Sequence, residues 1–192
     1  MTTQRHREFQ QRLVLSAPAV FAVGLLHHYR GESVVIPGLQ IAPTADEHRN
    51  YVDGGDLFVV SEMKRRRIEV KRLSCNFTGP DDWPYGAEMF IGPVAQTDRL
   101  DARGAAEAYY SVSNDYAAVG LIKPASKPKW YRKHVPNRLT GNVVEVYACP
   151  LGEVTFERLA PHITQMIITI APRDAADAER ILAQVGKLLG AA

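Results

Sequence analysis

The run Leu57-Phe58-Val59-Val60 constrains this chain more than any other feature. Four adjacent apolar residues, rich in β-formers, follow the turn-forming Asp53-Gly54-Gly55-Asp56. A run this short and dense, bounded by a turn, predicts an internal strand. Residues 62–66 then read as a hairpin connection and 67–73 as the returning arm. In that arm Ile68 and Val70 alternate with Glu69 and Lys71. A period of two sends the apolar pair to one face and the charged pair to the other. The apolar face needs a cover, and the elements around the hairpin must supply it.

Upstream, residues 4–15 carry a helical pattern with Phe9, Leu13 and Val14 on one side. Ser16 is placed to cap a second helix over 17–29, with Pro18 tolerated in its first turn and Gly31 beyond its end. Val20, Phe21, Val23, Leu25 and Leu26 nearly encircle that helix, which predicts deep burial. Residues 33–36 read as a short strand ended by Pro37-Gly38, and 43–53 as a polar loop. Downstream, 76–100 is irregular and rich in Gly and Pro, which predicts a long surface loop. A short helix is expected over 101–109. Strands follow at 110–112 and 117–122, joined at Ser113-Asn114-Asp115. After a Lys/Pro-rich connection, strands at 143–148 and 154–156 are joined by a turn at Pro150-Leu151-Gly152. Residues 165–170 read as a further strand. An amphipathic helix over 174–189, begun by Pro172 and ended by Gly190, closes the chain. This order predicts one α/β domain over 1–192, with a mixed central sheet flanked by helices.

The composition sets the class. With 192 residues, 46% apolar and 23% charged, the chain is that of an ordinary globular protein able to bury a core. Cys75 and Cys149 are too few for a disulfide framework or a four-cysteine zinc site, and read as two structural thiols in a reducing compartment. No run approaches the ~18 consecutive apolar residues that span a bilayer. The apolar stretch 18–26 runs directly into His27-His28-Tyr29-Arg30 with no small-residue cleavage site. The expectation is a cytoplasmic protein with no membrane partner.

Net charge is only +2, but the cations are clustered. Lys64, Arg65, Arg66, Arg67, Lys71 and Arg72 form one group; Lys123, Lys127, Lys129, Arg132, Lys133 and Arg138 form another. By charge alone these describe solvated surface. They are also the kind of local concentration that attracts phosphates.

The chemistry lies in the segment from Asp56 to Lys71. An acidic residue opens one strand, and Glu69 and Lys71 share a face of the next. If the strands pair, Asp56 and Glu69 come within reach of one ion. Phosphodiester hydrolysis needs a hard cation to neutralise developing charge, an activated water and a stabilised leaving oxygen. Carboxylates suit Mg²⁺, which retains waters for substrate and nucleophile. A lysine beside them can orient the water or stabilise the transition state.

The order helix, short strand, Asp-bearing strand, Glu-x-Lys strand, helix, strand resembles the core of the PD-(D/E)XK nucleases, over about residues 17–122. The resemblance implies a restriction-endonuclease-like fold, with 143–190 as an elaboration. It implies that Asp56 and Glu69 bind Mg²⁺ or Mn²⁺ and that Lys71 assists catalysis. It also implies DNA as substrate, RNA not being excluded, and admits a homodimer. Gly55, not Pro, precedes Asp56, which departs from the motif. Many members carry a carboxylate on the first helix; Glu8 is the candidate here, with Glu32 behind it, although Glu8 equally suits a first-turn charge. Asp53 is an alternative to Asp56.

Lys64, Arg65, Arg66, Arg67 and Arg72 are the expected contacts to a nucleic-acid backbone. Trp130, Arg132 and Lys133 combine an aromatic surface with cations that could stack on and clamp a strand; a cation resting on an exposed ring explains them almost as well. His27 and His28 are adjacent and do not share a helix face. His48, His134 and His162 are scattered, and Cys75 has no nearby thiol. A non-catalytic nucleic-acid-binding module with the same core is the rival reading.

Overall fold

The hairpin anchors a six-stranded sheet in the computed structural model, which describes residues 3–37, 56–61, 64–136 and 141–190. Strand β2 (Leu57–Ser61) pairs antiparallel with β3 (Lys64–Arg72), with Leu57 opposite Ile68 and Val59 opposite Arg66. On the other side of β2 lies β1 (Ser33–Val35), reached from helix α1 (Thr3–Tyr29). After β3 the chain forms β4 (Glu88–Pro93) and helix α2 (Val94–Asp101). It then returns as β5 (Ala108–Val112), parallel to β3. A parallel neighbour needs a crossover, and β4 with α2 is that crossover. Next come β6 (Ala118–Ile122), β7 (Tyr131–Pro136), β8 (Val143–Pro150) and β9 (Val154–Arg158), then helices α3 (Pro161–Ile170) and α4 (Ala175–Gly190). The large sheet has the order β1-β2-β3-β5-β6-β9, and a second sheet has the order β4-β8-β7. The chain is therefore mixed α/β, with a mixed central sheet flanked by helices.

The two faces of the large sheet bury separate cores. On the helical face, Leu57, Val59, Ile68, Tyr110, Val112 and Val119 pack with Ala19, Ala22, Val23 and Leu26 of α1 and Ile163 and Ile167 of α3. On the opposite face, Tyr109, Ala118 and Ile122 pack with Met89 and Ile91 of β4, Cys149 of β8, Phe77 and Trp83. Alternation along each strand divides the residues between the two cores, as a pleated strand covered on both sides requires. Gly120 lies close beneath the second sheet: a Cβ there would lie 2.5 Å from Met89 Cε and 3.3 Å from Val154 Cγ1, so the Met89 side chain would have to shift.

Several sequence expectations are corrected. The expected pair of helices before residue 30 is one helix, so Ser16 caps nothing; its hydroxyl donates to the Leu13 carbonyl at 3.0 Å. Pro18 removes a helix bond at a cost of about 3 kcal/mol, and burial of Ala19, Ala22, Val23 and Leu26 offsets it. By length and composition α1 could cross a bilayer, yet these residues lie in the core. The expected strand 165–170 is helical. Pro161 starts α3, and Ile163 and Ile167, one turn apart, sink into the core. The expected loop 76–100 contains β4 and most of α2, and the expected helix 101–109 gives way to the end of α2 and the start of β5. Strand β7 was not expected. The loop 43–53, the alternative ligand Asp53, Glu62, His48 and Arg138 lie outside the described residues.

Candidate active site

The pleat of β3 that sends Ile68 to the helical core turns Arg67, Glu69 and Lys71 to the other face. One step beyond the Leu57–Ile68 pair, the register sets Asp56 beside Glu69. Asp56, Glu69 and Lys71 together line an open cleft of about 290 Å³. Phe90 to Pro93 of β4 and Gln96, Thr97 and Leu100 of α2 form one wall, and Tyr109 and Ser111 of β5 contribute the other. The three residues expected to act together are thus brought together.

Each has a defined local partner. Asp56 Oδ2 accepts a 2.6 Å bond from the Val70 amide, so this carboxylate also ends the β2–β3 ladder. Glu69 Oε1 accepts from Arg67 Nη1 at 2.7 Å. Arg67 donates as well to Asp101 Oδ1 at 2.9 Å, and Lys127 holds the other oxygen of Asp101 at 2.8 Å. Tyr109 adds a 3.0 Å hydroxyl bond to Asp101. Burial alone would raise the Asp101 carboxyl, but the bonds from Lys127 and Tyr109 hold it below the usual carboxylate range. Burial, with Asp101 adding to it, pushes the Tyr109 phenol well up.

Lys71 differs from its neighbours. Its side chain has exposed surface at the mouth of the cleft, while protein crowds the rest of it. It makes no ion pair with a described carboxylate. Among the described residues its one hydrogen bond is a long 3.5 Å contact from Nζ to the Ile91 carbonyl. That carbonyl belongs to a bulge in β4, where the register with β8 shifts between Phe90 and Gly92. Bulges commonly re-aim groups beside functional sites. Burial pushes the Lys71 ammonium below the ordinary lysine range.

The remaining expected residues are dispersed. Glu8 is half-buried on α1 and does not line the cleft. Glu32 bonds His27 Nδ1 at 2.5 Å and Arg66 at 2.7 Å. Arg66 also reaches Glu107 at 2.6 Å. Lys64 is exposed, and the Arg65 guanidinium lies 3.7 Å from the centroid of Phe58. Arg67 is buried between the two carboxylates described above. Arg72 lines the cleft and donates to Asn114 Oδ1 at 2.8 Å and to the Leu15 carbonyl at 3.2 Å. Trp130 belongs to the second core, with Nε1 donating to Ser126 at 2.8 Å. Arg132 rests over Tyr147 and approaches Glu145, and Lys133 pairs with Glu88. Glu88 is held below the usual carboxylate range; burial opposes this, and the bonds from Lys133 and Tyr131 outweigh it.

Asp101, Ser111, Gln96 and Thr97 were not legible as site residues. The only signal for any of them is that Asp101 opens the helix expected over 101–109, as an acidic first-turn residue does.

The donor set has also to fit a divalent cation. Among the described residues no group of three or more His, Cys, Asp and Glu side chains is disposed to hold a metal. Two adjacent carboxylates at an open cleft still suit Mg²⁺, which keeps several waters and takes few protein ligands. A carboxylate offers about four lone-pair sites, more than a single hydrogen bond uses. No protein-family model, curated protein or solved structure matches this chain.

Proposed function

We propose that the chain is a divalent-metal-dependent nuclease with a restriction-endonuclease-like core of the PD-(D/E)XK type, acting on DNA. One observation carries this reading: Asp56, Glu69 and Lys71 share one face of paired strands and line one cleft. The order α1, β1, β2, β3, β4, α2, β5, with β5 parallel to β3, supports the same family resemblance, β4 being an added strand that pairs with β8 in the second sheet.

Asp56 and Glu69 would hold Mg²⁺ or Mn²⁺, which neutralises charge on the phosphate and activates water. Lys71 orients the attacking water or stabilises charge on the phosphoryl oxygens. The protein crowded around its stem strengthens either interaction in part, because a crowded site screens charge less than water does. Arg67 fixes the Glu69 rotamer, and Asp101 fixes Arg67.

A second reading is a non-catalytic nucleic-acid-binding module. The Arg67–Glu69 ion pair favours it, since that pair already neutralises one of the two carboxylates a metal would need. Plasmid DNA incubated with Mg²⁺ or Mn²⁺ separates the two. The nuclease reading expects nicking that EDTA abolishes and that Lys71→Ala lowers by about 10²- to 10³-fold. Intact plasmid in every arm, together with salt-sensitive DNA binding, would favour the binding module.

A further inference from the structure

We propose that a second cavity, beside the candidate active site, is a phosphate subsite that holds the backbone of a nucleic-acid strand near the bond to be cut. The position assigned to the bond rests on the nuclease reading; the subsite itself does not. The cavity measures about 510 Å³ and lies between the amino-terminal half of β3 and the carboxy-terminal end of α2. Arg67 and Leu100 line both it and the catalytic cleft, so the two sites share a wall.

Its lining is dominated by cations: Lys64, Arg65, Arg66 and Arg67 of β3, with Arg103 just past α2. Glu107 is the one acidic residue among its described lining. The ion pairs of Arg66 with Glu32 and Glu107, and of Arg67 with Glu69 and Asp101, neutralise two of the five. Lys64, Arg65 and Arg103 make no ion pair with any described carboxylate, and all three are exposed. Among the described residues, the cavity therefore presents three positive charges to solvent that no carboxylate pairs.

The donor geometry agrees with that charge. A phosphate supplies several acceptors at once and suits guanidinium groups such as those of the exposed Arg65 and Arg103. Arg67, only 8% exposed and held by Glu69 and Asp101, forms the fixed wall behind them. The carboxy-terminal end of α2 opposes an anion with about half a charge. Its terminal carbonyls on Asp98, Leu100 and Asp101 are already bonded by the amides of Ala102, Arg103 and Gly104.

The spacing fits a strand that runs on into the cleft. Arg65 and Glu69 are four residues apart on β3, which at strand rise is roughly 13 Å. One strand of duplex advances about 3.4 Å per phosphate along its axis. The subsite is then about four nucleotide steps or fewer from the catalytic carboxylates. Contacts of this kind position a strand and carry no sequence information.

Fluorescence anisotropy of a labelled dT12 oligonucleotide, in EDTA so that nothing is cut, tests the subsite. Wild type is compared with Arg65→Ala/Arg103→Ala, both exposed positions, and with the charge-keeping Arg65→Lys/Arg103→Lys. The alanine pair should bind at least about tenfold more weakly, and its dependence of log K on log salt should flatten by about 1.4, or ~0.7 for each lost phosphate contact. The lysine pair should retain most of both. Equal affinity and slope in wild type and the alanine pair would overturn the subsite, as would failure of wild type to bind. Displacement of the oligonucleotide by sub-millimolar inorganic phosphate would instead assign the cavity to a free anion and overturn the strand. Cleavage is a separate readout: binding lost in the alanine pair without any metal-dependent cutting leaves the subsite standing while the nuclease reading falls.

Discussion

The two faces of β3 were built for different purposes. Toward α1 it offers Ile68 and Val70, and Ile68 is 2% exposed in a continuous apolar core. Toward the cleft it offers Arg67 and Glu69, which belong to a polar network, and Lys71, which is crowded and has no ion partner among the described residues. Burial of apolar area stabilises at roughly 25 cal/mol per Å². A partly crowded ammonium has the opposite sign, because its charged form loses part of its hydration. One strand thus carries stabilising residues on one side and a destabilising one on the other. Active sites commonly keep such groups because the chemistry needs them.

The contrast can be broken most easily from the helical face. Ile68→Ala should cost about 3 kcal/mol in urea unfolding, through lost burial and the cavity left behind. A loss below about 1 kcal/mol would mean the helical face is not the stabilising side.

Asp101→Asn probes the polar network and should cost about 2 kcal/mol near neutral pH, since Arg67 and Lys127 lose a charged acceptor. The sign with pH follows from the lowered Asp101 carboxyl. Its contribution is fully present above the unfolded value near 3.8 and disappears as pH falls through the lower folded value. The difference between wild type and variant should therefore shrink on acidification below about pH 4. A difference that stays constant down to pH 2 would remove Asp101 from the ionic network.

The smallest effect should have the reverse sign. Lys71→Met keeps the aliphatic stem and deletes the ammonium, so stability should rise by up to about 1 kcal/mol. Partial exposure of Lys71 keeps this gain modest.

The helical face and the hairpin were largely legible in the sequence, whereas the far side of the sheet was not. Alternation of Ile68 and Val70 with Glu69 and Lys71 is a local signal, and it was enough to set the candidate site on one face. The wall of the cleft depends on distant pairing: β4 finds its partner in β8, with Met89 opposite Cys149, sixty positions away in sequence. No local periodicity reports such a pairing, so 76–100 read as a loop. Strand β7 is an exposed edge whose basic residues resemble a solvated segment. In α3, the β-branched Ile and Thr residues suggested a strand; Ile163 and Ile167 packing beneath α1 decided for helix, as tertiary contacts often override propensity. The Asp101 hub escaped for the same reason, since its partners Arg67 and Lys127 are remote in sequence.

The most direct test is the rate of Mg²⁺-dependent plasmid cleavage by Lys71→Met beside wild type, with the urea midpoint measured on the same preparations. The cleft-face account predicts a rate lower by about 10²- to 10³-fold in a protein at least as stable as wild type. Cleavage by Lys71→Met at the wild-type rate would contradict it.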